Sequence, residues 1–213
     1  MGPTSRPEVW QGARVGATHD WSTSVDAEHL DEVRRDRAAL APGGLPHLLL
    51  EVLAYPVDEA REGTTSQVRV VLHADGSVSV SDDGRGTETR VDADGVARVK
   101  PVMATRDLRF YGRSDAPLLP DGHRRSGISV VAALSEWLVH TNRRAEGSWR
   151  RRFEHGLPVG ELETLPAQHA SGTVVHFRPD PDLVDSAVSV SELLEATRAY
   201  AAVVPVEVVD ERG

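Results

Sequence analysis

Apolar and polar residues alternate along this chain with two distinct periods. Over residues 25–40, Val25, Leu30, Val33 and Leu40 recur at helical spacing among charged residues, which predicts an amphipathic helix. Ala41-Pro-Gly-Gly44 breaks that pattern. A second helix is predicted from Leu45 to about Arg61, with Leu48, Leu49, Val52, Leu53 and Val57 as its apolar stripe and Gly63 just past its end. Pro46 suits a first turn. Pro56 falls in the interior, where it removes a backbone donor, and predicts a kink.

The period then changes to two. Residues 68–73 and 77–81 read as strands, and the intervening Ala74-Asp75-Gly76 is a strong hairpin signal. Residues 82–125 show weak periodicity and predict a long, partly helical loop system with one short helix near 102–106. Residues 127–135 predict a helix with Ile128, Val131 and Leu134 inward. Strands are expected over 137–141, 148–155, 161–165 and 172–177, as successive members of an antiparallel sheet. A helix over 190–200 and a last strand over 206–209 complete the pattern. The order predicts an α+β fold, a two-layer sandwich of a mixed, mostly antiparallel sheet with helices on one face. Residues 1–20, rich in Gly, Pro, Ser and Thr, read as a flexible arm, and 21–213 as one domain.

Composition narrows the chemistry. The 213 residues carry a formal net charge of −9, which argues against general nucleic-acid binding. The chain has no cysteine, which removes disulfides, thiol catalysis and thiolate zinc sites together. Its nine histidines show no metal-ligand spacing, so a structural metal is not expected. No apolar run reaches the length of a bilayer and the N-terminus lacks an apolar signal core, so neither a membrane span nor secretion is expected, and a cytoplasmic location is.

Six stretches in order resemble the N-terminal ATPase domain of the gyrase B family, part of the GHKL superfamily. Leu30-Asp-Glu-Val-Arg-Arg-Asp-Arg37 is similar to the segment before that family's catalytic helix. Leu50-Glu-Val-Leu through Asp58-Glu-Ala is similar to its E-x-x-D-N-A-x-D-E-A. Ala74 to Gly86 is similar to its strand and D-D-G-R-G turn. Gly127 to Ser135 is similar to the helix after its phosphate lid, and Phe153-Glu-His-Gly156 and Ser171-Gly-Thr173 to later strand motifs.

The resemblance implies roles by position. Glu51 falls at the general base that activates water, against the plainer reading of a leftover helix acid. Asp82 falls at the acceptor of the adenine amino group, supported by the Thr173 hydroxyl, although an Asp-Gly pair can also simply cap a turn. Gly84 and Gly86 would let the backbone approach the ring. Arg85 matches a partner of Glu59, and Arg150 an arginine at the pocket mouth. Strand alternation puts Arg150 and Arg152 on one face and Trp149, Arg151 and Phe153 on the other, and Arg150 is the one assigned to the pocket side. ATP or ADP is the implied ligand, and a homodimer or a contact with gyrase the implied partner.

Three departures sit on the catalytic helix. Tyr55 replaces the asparagine that holds Mg²⁺, and a phenol is a poor ligand for that cation. Ala54 and Pro56 replace its neighbours. The lid G-G-L-H-G-V-G stands here as Asp121-Gly-His-Arg-Arg-Ser-Gly127, keeping Gly122 and Gly127 but placing Arg124 and Arg125 where the resemblance expects phosphates. Arg125 could grip phosphates by its fork or block the geometry that glycine allowed. Tyr55 is either a core filler or a wall that stacks on a ligand. The leading expectation is a divergent ATP- or ADP-binding protein with a degenerate magnesium–phosphate site and weak or no hydrolysis. One alternative is a pocket repurposed for a planar small molecule, with Glu51 or Asp58 supplying acid–base chemistry near Tyr55. The other is a non-catalytic partner of gyrase.

Overall fold

The computed structural model describes residues 18–20, 24–91, 97–145, 147–166 and 170–213. The flexible arm expected over 1–20 lies almost wholly outside them.

The first predicted helix is two. α1 (Ala27–Arg35) starts where the Asp26 carboxylate accepts the His29 N–H at 3.1 Å, and it stops at Asp36. α2 (Arg37–Leu40) is a short continuation. α3 (Leu45–Arg61) follows as expected and is unbroken through Pro56. Its five predicted stripe residues are all at most 2% exposed, but His47, Leu50, Glu51 and Ala54 are buried as well. A helix buried on more than one stripe lies between layers rather than on a surface.

β1 (Val68–Leu72) and β2 (Val78–Asp82) form the predicted hairpin. A small sheet of β3 (Thr89–Val91) and β4 (Ala97–Val99) then appears where only loop was expected. The helix expected near 102–106 is absent; Val102 N–H bonds to Lys100 O and Ala104 N–H to Pro101 O, and these turns do not propagate. α4 (Ile128–Ala133) is followed by β5 (Ser135–Arg144), β6 (Gly147–Glu154), β7 (Leu157–Leu165) and β8 (Gly172–Pro179). α5 (Val190–Ala201) opens with a capping box between Ser189 and Glu192, and β9 (Val206–Asp210) ends the order.

Seven strands make one sheet in the order β7-β6-β5-β8-β2-β1-β9. Every pairing in it is antiparallel except β1 with β9. β8 therefore does not follow β7 outward; it returns beside β5 and joins it to β2. Leu138, His140 and Asn142 of β5 and Val175 and Phe177 of β8 are buried, while their alternates are half-buried or exposed. The buried face receives α3, α4 and α5, which gives the predicted α+β sandwich with helices on one face. Among the described residues no helix is long and apolar enough to cross a membrane.

Candidate functional site

A cavity of about 440 Å³ opens between α3 and the buried sheet face, with the segment 100–109 as a further wall. Strand register sets its floor. His140, Val175 and Val80 stand abreast across β5, β8 and β2. Two residues along, Asn142 faces Thr173, whose hydroxyl donates to the Asp82 carboxylate. Asp82 also accepts the Gly84 N–H at 2.9 Å. Burial raises its pKa against these bonds, so its charge is held at a cost in desolvation.

Close backbone approach makes this corner. A Cβ on Gly172, at φ +132°, would run into the Asp82 carbonyl. On Gly86, at φ +75°, it would lie 2.6 Å from Asn142 Oδ1. Asn142 in turn accepts the Thr87 N–H at 2.6 Å and pins the rim of the cavity. Arg85 forks onto Glu59 with two bonds of 2.7 Å and reaches Glu62 at 2.7 Å, and its guanidinium holds the Glu59 carboxyl below the usual range. Asp82, Gly86, Arg85 and Thr173 thus come together around one cavity, and Gly84 lies directly beside them.

The α4 side is closed. Glu51 is fully buried, and its two carboxylate oxygens accept the N–H groups of Ser126 and Gly127 at 2.5 and 3.0 Å. Burial nevertheless raises its pKa, outweighing those bonds. The Tyr55 hydroxyl accepts the Ile128 N–H and donates to Asp107 Oδ2, each at 3.1 Å. Burial pushes the phenol well above its ordinary value. Asp107 is held far below the carboxylate range by His19 and Arg109, despite burial. Three consecutive backbone donors at the start of α4 are therefore taken by side chains of α3.

Arg125 completes the closure. It is 4% exposed, lies between the Tyr55 and Phe110 rings at 4.3 and 4.1 Å, and pairs with Asp58. Its Nε and Nη2 have no acceptor among the described residues. Asp58 is shared with Arg61 and edges the cavity. The phenol at the position expected for Mg²⁺ already accepts one hydrogen bond and donates another within the fold. Among the described residues no three His, Asp or Glu side chains converge as metal ligands.

Three assigned residues lie elsewhere. Gly122, at φ +84°, turns the chain between Leu119 and His123 with no neighbour close to it. Arg124 donates to the Ala116 carbonyl. Arg150 and Arg152 do share one face, but the assignment of Arg150 to the pocket side is corrected: it points to the exposed face and forks onto Glu163 of β7, while Trp149 and Phe153 are buried on the helix side. Conversely, Lys100, Arg109 and His140 line the cavity unannounced. His140 had a signal, since it shares the apolar parity of Leu138. Burial lowers it to about 4, so it is a neutral imidazole, edge-on to Trp149 at 4.9 Å. Lys100 and Arg109 lie in the aperiodic segment and had none.

A sandwich with a cavity between its central helix and a sheet bearing the Asp82–Thr173 pair defines a GHKL-type domain. No family model matches the chain. It is similar to the DNA gyrase B proteins of Thermotoga maritima (38% identity, 65% of this chain, 22% of that protein) and of Micrococcus luteus (40%, 81% and 25%). It is also similar to the DNA topoisomerase 4 B protein of Bacillus subtilis (32%, 80% and 27%). The chain belongs to the gyrase B family as a divergent member, and spans about a quarter of the length of these curated relatives.

Proposed function

We propose that this chain binds an adenine-type ring at Asp82 and Thr173 and does not hydrolyse a magnesium-bound triphosphate. The ring end has what such recognition needs: a desolvated carboxylate to accept an amino group, a hydroxyl to fix it, and Val52, Val80 and Val175 as an apolar bed. One observation carries the second half. The Ser126, Gly127 and Ile128 N–H groups, where the family resemblance would seat phosphates, bond Glu51 and Tyr55 instead. Phosphates would have to displace a buried carboxylate and a phenol to reach those donors. Glu51, used as a clamp on α4, is withdrawn from general-base work.

Calorimetry with adenosine, ADP and ATP, with and without magnesium, together with a phosphate-release assay, tests this. All three are expected to bind with affinities indifferent to magnesium, and no phosphate is released. Magnesium-dependent ATP binding with turnover overturns the second half, and no binding of any of the three overturns the first. A second reading has its own support in His140. A neutral imidazole on the floor, with Nε2 already 3.4 Å from the Thr87 hydroxyl, keeps its other ring nitrogen for a ligand, so a different planar ring with a polar edge also suits the cavity, and it would compete with adenosine.

A further inference from the structure

The cavity holds a cationic group that the closed α4 end leaves without an obvious task. The carboxylates on its walls are already partnered. Asp82 is bonded by Thr173 and Gly84, Glu59 and Glu62 by Arg85, Asp58 by Arg125, and Glu88 by Arg90 at 3.0 Å. Arg109 forks onto Asp107 at 3.0 and 2.7 Å, and Arg144 donates to the Gly86 carbonyl. Lys100 differs. Its side chain lines the cavity just after β4, half-buried, with no hydrogen bond or ion pair among the described residues.

An ammonium withdrawn from water without a counter-ion is costly, and a ligand anion would relieve that cost. Desolvation and the Arg109 charge lower the Lys100 pKa, while Glu88 and Asp107 act the other way. No carboxylate among the described residues bonds the Lys100 ammonium. Arg109 stands on the same wall with its charge committed to Asp107, so Lys100 is the cation left to meet a ligand anion there although the whole chain is acidic.

We propose that Lys100 is an anion subsite that replaces the lost phosphate cradle, and that the cavity takes a planar nucleoside bearing a single phosphate. This rests on the adenine-type reading above and adds the second pole of the ligand. One ammonium without a partner among the described residues matches one anionic group. A second or third phosphate finds the Ser126, Gly127 and Ile128 N–H groups that lead into α4 occupied, so a longer chain of phosphates brings no further gain.

The test is calorimetry on the full chain without magnesium, comparing AMP with adenosine. Charge-assisted contacts predict that AMP binds on the order of tenfold tighter than adenosine, and ATP no tighter than AMP. Lys100→Met, which keeps the apolar stem, should erase the AMP advantage, so that AMP and adenosine bind the variant with equal affinity. Lys100→Arg should retain the advantage. Equal binding of AMP and adenosine by the unaltered protein, or an AMP advantage that survives Lys100→Met, overturns the subsite while leaving the ring reading intact. If neither adenosine nor AMP binds, the ring reading fails and the subsite falls with it.

Discussion

Tyr55 shows how one side chain can tie several elements together. Its oxygen takes the Ile128 N–H and gives its proton to Asp107, and its ring carries Arg125 on one face. Tyr55→Phe keeps the ring but orphans a buried donor, so it should destabilise the fold by about 1–3 kcal/mol. Thermal melts would read this as a fall in Tm, against an unchanged Tm for the exposed Arg61→Ala; a Tyr55→Phe variant as stable as the parent would mean that the hydroxyl is not part of the closure. Glu51 belongs to the same unit. Its identity marks a catalytic family, yet its hydrogen bonds are those of a structural clamp.

At the scale of elements, the corner between β2 and β8 decides what the cavity can hold. Gly172→Ala would push a Cβ into the Asp82 backbone at a φ that disfavours side chains. The expected result is loss of adenosine binding together with a drop in stability of about 2–4 kcal/mol, measured by calorimetry and urea unfolding. Retained binding would show that this approach is not what sets the corner.

The same elements show what the sequence can and cannot convey. Helices and hairpin were legible because their apolar spacing is long and regular: α3 begins and ends at the predicted residues, and β1 and β2 fall within one residue of expectation. Asp36, a local stop inside a continuing amphipathic pattern, was not legible as a break. The β3–β4 sheet is held by pairing between three-residue strands, too short to show a period. For the site, Asp82, Arg85, Gly86 and Thr173 were readable because they lie in compact motifs. Arg150 was misassigned because alternation gives two faces without saying which one the helices cover. Lys100 and Arg109 escaped because a loop wall is set by tertiary packing alone.

For the molecule as a whole, burial of neutral histidines sets its response to acid. His29, bonded to Ser129 at 2.8 Å, and His140 are both lowered to about 4 by burial. Between their unfolded value of about 6.5 and 4, the unfolded chain binds more protons, so stability present at neutral pH is lost as pH falls through that window. Each contributes on the order of 3 kcal/mol when the loss is complete. Asp107 adds a further loss at lower pH, because its depressed pKa favours the fold only above the unfolded carboxylate value. Glu51, raised by burial, acts in the opposite sense and favours the fold at low pH. Urea unfolding at pH 7 and pH 4.5 should show a marked acid loss that His140→Leu reduces; an equal loss in the variant would place the sensitivity elsewhere.

The edge-on contact between His140 and Trp149 gives this chemistry an optical consequence. An imidazolium quenches a neighbouring indole far more than a neutral ring does, so emission from the interior should dim as acid reaches the cavity floor. A guest that shields His140 from protons would shift that dimming to lower pH, and the molecule would thereby signal its own occupancy without an added dye.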